Sequence, residues 1–334
     1  MPRNRQVLLV ARPKGIPAAE DFQIAESEMP KAGPGEFIVR NLLLSVDPAQ
    51  RGWASDEANY STPLPLGSVM RALAVGVVTE SANRSVAVGE HLYGWFGWQD
   101  YCAARPADIL RRVDRDAAPL SAALGVLGLN GITALLALEE LGSPKAGETI
   151  LVSTAAGGVG SVVGQLARDR GLHTIGLTGN ETKVAICRAE FGYDDALNYR
   201  EAGDLAAAIS SAAPKGIDIF FDNTGGWIAD AVVPLMNAHG RIIQCGTASV
   251  SSWNPVPAGP RRERAVLTKR LSWNGFVIFD HLDKFAEAAE RLQHLVARGA
   301  LAYREEILDG IEHAPGAIAK LYHGDNLGRL LLRL

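Results

Sequence analysis

The stretch Ser153-Thr154-Ala155-Ala156-Gly157-Gly158-Val159-Gly160-Ser161-Val162-Val163-Gly164 decides how this chain is read. It follows an apolar run at residues 148–154 and opens a segment, 159–170, whose apolar residues recur at helical spacing. Strand, glycine-rich turn and helix in that order make a phosphate-binding turn. Gly157 and Gly158 let the backbone turn sharply and approach a pyrophosphate. Gly160 removes a side chain where the helix start would meet the phosphates, and Gly164 permits close packing of helix on strand. The unpaired amides and positive end of the helix supply the anion site. A site preferring NAD expects an acid at the end of the second strand, about 20 residues on. The chain has Leu177-Thr178-Gly179-Asn180 there, with no carboxylate to repel a 2′-phosphate. Lys183 follows within reach as a point charge, so NADP(H) is favoured over NAD.

Outward from this turn, strands and helices alternate. A second strand is expected at 173–178, a helix at 181–191, and further elements at 217–223, 227–236 and 240–246. Strict alternation is the pattern of a parallel, doubly wound sheet. Before residue 120 the character differs: short strand-like segments such as 36–40 and 72–78 are punctuated by Pro and Gly, which predicts an irregular, mostly antiparallel β domain. From about Ala300 short strands return around one helix. The 334 residues exceed what one core usually serves, so two domains are expected.

Composition narrows the function classes. With 33 Lys and Arg against 37 Asp and Glu, a net charge of −4 gives no reason to expect nucleic acid or an anionic membrane as partner. The run Arg261-Arg262-Glu263-Arg264 reads as a solvated helix start. The apolar run 7–11 is too short for a signal-peptide core, and no stretch is long enough to span a bilayer. Cys102, Cys187 and Cys245 are scattered, against a disulfide framework or a Cys-x-x-Cys metal site, so a cytoplasmic protein with reduced thiols is expected. The seven histidines are scattered as well, and no metal is expected. A serine-hydrolase Gly-x-Ser-x-Gly elbow and a Tyr-x-x-x-Lys pair are both missing.

An ordered set of short motifs carries a resemblance over most of the chain. They are Leu44-Ser45-Val46-Asp47-Pro48 with Arg51-Gly52, Leu66-Gly67-Ser68-Val69-Met70-Arg71, Gly97-Trp98-Gln99-Asp100-Tyr101 and Gly131-Ile132-Thr133-Ala134. Further on come Lys183-Val184-Ala185, Asn198-Tyr199, Phe221-Asp222-Asn223-Thr224-Gly225-Gly226, Cys245-Gly246, Gly275-Phe276-Val277 and Gly324-Asp325-Asn326-Leu327-Gly328. In this set the chain resembles the zinc-independent medium-chain dehydrogenases/reductases, in the branch of leukotriene B4 12-hydroxydehydrogenase, prostaglandin reductase and the plant double-bond reductases.

The resemblance implies a GroES-like, mostly β substrate domain over residues 1–120, completed by 300–334, and a Rossmann dinucleotide-binding domain over 121–299. It implies that Ala156, Gly157, Gly158, Val159 and Gly160 hold the pyrophosphate, and that Lys183 and Tyr199, beside Thr178 and Gly179, contact the adenosine 2′-phosphate and ribose side. Asn223, Cys245, Gly246 and Thr247 would line the cofactor, with Thr133 nearby. Phe276, Val277 and Ile278 would pack beside the nicotinamide, and Asn326 would reach the cofactor. Trp53 and Tyr60 fall in the region that lines the substrate cleft, and Tyr60 is the candidate catalytic hydroxyl. Taken singly, Phe276 and Val277 read equally well as buried strand residues, and Tyr60 as a loop residue; the ordered set of matches reverses that.

There are departures. Where family members carry a tyrosine ahead of the Gly-Phe-Val segment, this chain has Thr268. Where zinc alcohol dehydrogenases of the superfamily carry Gly-His-Glu, it has Gly67-Ser68-Val69, without the Lewis-acid ligands that stabilise an alkoxide. The chemistry then expected is NADPH-dependent reduction of the activated C=C bond of an α,β-unsaturated ketone or aldehyde, by hydride transfer to the β-carbon. A quinone reductase and a non-catalytic NADPH-binding protein are the alternatives. A homodimer is expected from the resemblance and from the prevalence of two-fold oligomers.

Overall fold

In a computed structural model, residues 3–57, 59–250, 255 and 257–334 are described. The chain divides into two compact units, Met1–Gly125 with Glu305–Leu334, and Val126–Arg304.

The first unit is built from short strands: β1 (Arg3–Leu9), β2 (Phe22–Glu28), β3 (Phe37–Ser45), β4 (Ala74–Ser81), β5 (His91–Gly94), β6 (Tyr101–Ala104) and β7 (Ile109–Arg112), with the short helix α1 (Ala49–Ala54) after β3. β1 and β2 pair antiparallel as a separate two-stranded sheet. β3 is the central strand of the larger sheet, and its burial on both faces explains why Phe37-Ile38-Val39 and Leu43-Leu44 read as apolar runs and not as a clean alternation.

The second unit holds α2 (Leu129–Ala137), β8 (Thr149–Ser153), α3 (Gly160–Asp169), β9 (His173–Thr178), α4 (Glu181–Ala189), β10 (Asp195–Asn198), α5 (Leu205–Ala212), β11 (Ile217–Asp222), α6 (Gly226–Val232), β12 (Met236–Gln244), α7 (Glu263–Lys269), β13 (Ser272–Gly275) and α8 (Phe285–Ala297). Its six strands run in the order β10-β9-β8-β11-β12-β13, every neighbouring pair parallel. This is the doubly wound order, whose strand sequence reverses direction between β8 and β11. The core on one face gathers Leu151, Ile175, Phe220, Ile228, Val232 and Ile242, each at most 1% exposed. β12 begins at Met236, earlier than residue 240 as the sequence suggested, because a register shift on β11 between Ile217 and Ile219 and a positive-φ residue, His239, let the strand bend and continue.

The chain then returns to the first unit with β14 (Glu305–Asp309), α9 (Ala314–His323) and β15 (Arg329–Arg333). The larger sheet of that unit runs β14-β15-β3-β4-β5-β7, with β6 also on β3; β14 and β15 are parallel and the other pairs antiparallel. Arg329 locks this return: its guanidinium meets Asp47 at 2.8 Å and donates to the Leu124 and Val46 carbonyls, all deeply buried. Among the described residues, no helix is long and apolar enough to cross a membrane.

Candidate dinucleotide site

Parallel strands place the residues after each strand end along a single edge of the sheet. Residues 156–160 follow β8, Thr178 and Gly179 close β9, and Tyr199 follows β10. Asn223 follows β11, Cys245, Gly246 and Thr247 follow β12, and Phe276, Val277 and Ile278 follow β13. The expected cofactor residues of the second unit, apart from Thr133 and Lys183 on helices, therefore gather at the carboxyl edge. That edge is where open α/β sheets bind ligands.

The glycine-rich turn shows two close approaches. A Cβ on Gly160 would stand 2.3 Å from the Thr154 carbonyl oxygen and 2.8 Å from the Ala155 Cα. This glycine is demanded by the turn folding on itself, and not first by a phosphate as the sequence suggested. A Cβ on Gly164 would stand 2.2 Å from the Tyr193 ring. The partner that α3 packs against here is thus a tyrosine after α4, whose hydroxyl donates to the Gly160 carbonyl at 2.6 Å. Tyr193 was not legible as a site residue, because nothing in spacing links it to the turn. Thr154 supports the turn with a left-handed φ of 56°. Among the described residues, the amides of Ala156, Gly158 and Val159 donate to no protein acceptor. Those free donors beside the start of α3 are what a pyrophosphate needs.

At the end of β9 the absence of an acid is joined by polar and basic groups. The Asn180 side chain caps α4 by accepting from the Lys183 amide at 2.9 Å, which sets Lys183 in the helix's first turn. The Tyr199 hydroxyl lies 2.9 Å, and the Arg200 Nε 3.4 Å, from where a Gly179 Cβ would stand. Tyr199 is steadied edge-on by Trp227, with centroids 5.7 Å apart. Arg200 is a basic residue the sequence reading missed, although it is adjacent to Tyr199. These groups fit an adenosine carrying a 2′-phosphate.

The switch point between β8 and β11 is sealed by Asp222, which is 0% exposed. Its Oδ1 accepts from Ser153 Oγ at 3.1 Å, the Thr224 amide at 2.8 Å, Thr224 Oγ1 at 2.9 Å and the Gly225 amide at 2.9 Å. Its Oδ2 accepts from Gln244 Nε2 at 3.0 Å, and Gln244 Oε1 accepts from Trp273 Nε1 at 3.0 Å. Asn223 is fixed by the same knot: its amide donates to Ser153 Oγ at 2.8 Å and its Nδ2 to the Ser153 carbonyl at 2.7 Å. Burial first, and the Asp222 charge second, push the Cys245 thiol up to about 12. Phe276 is buried and stacks on the His281 imidazole at 4.7 Å, and His281 Nδ1 lies 3.4 Å from Glu140. Ile278 is buried, Val277 half-buried, and Thr133 lies buried within α2.

In the first unit, Tyr60 is 59% exposed, whereas Trp53 is 1% exposed, edge-on to Trp95 at 5.4 Å and beneath the Arg71 guanidinium. Trp53 supports this surface and does not form it. Asn326 is buried, its Nδ2 donating to the Gly328 carbonyl at 2.7 Å. Thr268 donates to the Arg264 carbonyl on exposed α7, bonded within its own helix. The Arg261–Arg264 run does start that helix, but Arg262 is not solvated: it pairs with Asp230 and lies over the Trp273 ring. Among the described residues, no three His, Cys, Asp or Glu side chains converge as a metal site.

Comparison with known proteins gives the same two parts. A family described as the N-terminal domain of oxidoreductase matches residues 5–111, and one described as zinc-binding dehydrogenase matches 158–294. The NADPH-dependent curcumin reductase of Escherichia coli (strain K12) is 38% identical over 337 residues, covering 99% of this chain and 97% of that protein. The chain is a medium-chain dehydrogenase/reductase. It belongs to the zinc-independent branch, as an oxidoreductase. The 2-alkenal reductase (NADP(+)-dependent) of Nicotiana tabacum is 35% identical, covering 98% of this chain and 96% of that protein. The crystal structure of CurA from Vibrio vulnificus in complex with NADPH superposes with a TM-score of 0.92 at 36% identity, covering 98% of each chain.

Proposed function

We propose that this medium-chain reductase uses NADPH to reduce the activated C=C bond of α,β-unsaturated ketones and aldehydes. The observation that carries the reading is the carboxyl edge of the second unit. It presents a turn with free amides, a strand end without an acid, Lys183 in the first turn of α4, and Tyr199 and Arg200 beside Gly179. Similarity to proteins named for curcumin and 2-alkenal reduction supports the substrate class.

Bound NADPH supplies a hydride for the β-carbon, and negative charge then develops on the carbonyl oxygen. The chain's own residues bind and orient. The amides before α3 hold the pyrophosphate, Lys183 and Tyr199 hold the adenosine end, and the Ser153–Asp222–Asn223 knot fixes the switch-point loop. The Tyr60 hydroxyl, on an exposed loop of the first unit, is the donor assigned to the developing enolate oxygen. With positioning as the main contribution, no acid–base pair is required.

The test is NADPH oxidation, followed by absorbance, with 3-nonen-2-one and a metal chelator present. Turnover is expected with NADPH, unaffected by chelator and much weaker with NADH. Binding of NADPH without enone turnover would move the assignment to quinones, and then to a binding-only role. Tyr60→Phe is expected to lower turnover; an unchanged kcat removes Tyr60 from its assignment.

A further inference from the structure

Trp227 differs from the other described tryptophans. Trp53 and Trp98 are buried and Trp95 and Trp273 half-buried, whereas Trp227 is 50% exposed. It sits in the first turn of α6, whose Ile228, Ala229 and Val232 pack into the core, so helical phase turns the indole outward. The backbone beneath it is pinned. Gly225 and Gly226 take left-handed φ values of 63° and 54°, Ser249 Oγ donates to the Gly225 carbonyl at 3.0 Å, and Arg262 donates to the Gly226 carbonyl at 3.0 Å. A large apolar ring is thus held open to water on a fixed support, the form of a preorganised binding surface.

The place of this ring in the sheet selects the ligand. The adenosine ribose of a dinucleotide belongs at the end of the second strand, here β9. Tyr199 marks that place: its hydroxyl lies 2.9 Å from where a Gly179 Cβ would stand. Trp227 meets the Tyr199 ring edge-on, with centroids 5.7 Å apart and planes at 75°. β9 and β8 separate β10 from β11 in the sheet, a span of about 14 Å at ordinary strand spacing. Tyr199, after β10, and Trp227, after β11, therefore close on each other across the ends of β9 and β8. Whichever ring supplies the edge, one face of the indole stays clear of Tyr199. Residues 276–278, assigned to the nicotinamide, follow β13, two strands beyond β11 on the other flank.

We infer that Trp227 is the platform on which the adenine ring of the cofactor stacks. The inference rests on the NADPH reading above and adds the base to the groups recognised there. Lys183 and Tyr199 take the sugar and its 2′-phosphate by charge and hydrogen bond. Trp227 takes the flat face of the base, which every adenine dinucleotide presents. The two contributions are separable: the first tells NADPH from NADH, and the second serves both equally.

The test is calorimetric titration of the whole protein with NADPH, NADH and adenosine 2′,5′-bisphosphate. Trp227→Leu keeps bulk beside Tyr199 and removes the aromatic face. It is expected to raise Kd for all three ligands by a similar factor, roughly ten- to a hundredfold, the scale of one base–aromatic stack. Trp227→Phe restores a ring and should bring Kd back to within about fivefold of wild type, since stacking tolerates a change of aromatic partner. Unchanged affinity in Trp227→Leu overturns the inference. So does a loss confined to the two ligands that carry a 2′-phosphate, the mark of a side chain that only props Tyr199. Because Trp227 is half exposed, neither variant opens the core, and both should unfold in urea at the wild-type midpoint. Wild-type protein that binds none of the three ligands would instead defeat the NADPH reading itself.

Discussion

Replacing Gly164 with alanine separates helix propensity from packing, because the two predict opposite signs. In an exposed helix interior, Gly→Ala stabilises by roughly 0.5–1 kcal/mol. At position 164 the new methyl would stand 2.2 Å from Tyr193 Cζ, 2.4 Å from Cε2 and 2.5 Å from the hydroxyl oxygen. Tyr193 is 3% exposed, so its ring cannot yield without disturbing the core. Overpacking of this kind costs about 1–3 kcal/mol. If the ring shifts, the 2.6 Å bond from its hydroxyl to the Gly160 carbonyl is lost too, adding about 1 kcal/mol. The net expectation is a loss of about 2–3 kcal/mol, read in urea unfolding as a lower midpoint at unchanged m-value. Because Gly160 opens the helix that follows the turn proposed to hold the pyrophosphate, NADPH affinity should fall with it. In the double variant Gly164→Ala/Tyr193→Leu the shorter side chain makes room, so the two changes should be less than additive by at least about 1 kcal/mol. Stabilisation by Gly164→Ala, or strict additivity in the double variant, would refute the packing argument.

Three further outcomes are expected. Lys183→Ala should raise the NADPH KM by roughly ten- to a hundredfold, the worth of one charge-assisted contact, while NADH kinetics stay within about twofold; equal losses for both cofactors would remove Lys183 from the 2′-phosphate. Burial above all pushes Cys102, Cys187 and Cys245 each up to about 12, so only about one thiol in 10^4 is ionised at pH 8. Iodoacetamide should then label the native protein far more slowly than the urea-unfolded chain, with buried Cys187 slower than the half-buried Cys102 and Cys245, and rapid native labelling would contradict the raised pKa values. For Glu148, burial pulls its carboxyl up, but the Arg241 guanidinium, at 2.5 and 2.9 Å, and the Lys145 amide together hold it below the ordinary value of 4.5. A lowered folded value means stability present above about pH 4.5 and lost as the pH falls through the lowered value. Glu148→Gln should thus cost about 1 kcal/mol near neutrality, with the gap closing in acid; a gap independent of pH would show the pair contributes only through packing.

By itself the sequence determined the class of the second unit and the position of its glycine-rich turn between β8 and α3. Alternation of strand and helix is a local, periodic signal, and the glycine turn lies within one contiguous stretch, 153–164. The same locality made the missing acid after Thr178 and the presence of Lys183 readable. Strand ends were less legible: the β12 start was misplaced because a register shift and one left-handed residue carry no periodic mark. Only the tertiary structure decided the strand order, and with it which strand ends adjoin. Ser153 and Asp222 lie 69 residues apart and meet because β8 and β11 are neighbours at the switch point. Tyr193 takes its place against Gly164 through packing between elements in the same way, and Arg262 proves to be a half-buried partner of Asp230 and not a solvated helix start. Trp53 likewise was expected to line the substrate cleft, whereas its ring is buried, edge-on to Trp95 and beneath the Arg71 guanidinium. Periodicity records which face of an element is apolar; it holds no record of which distant polar group will share a hydrogen bond, since that is fixed by packing between elements far apart in the chain.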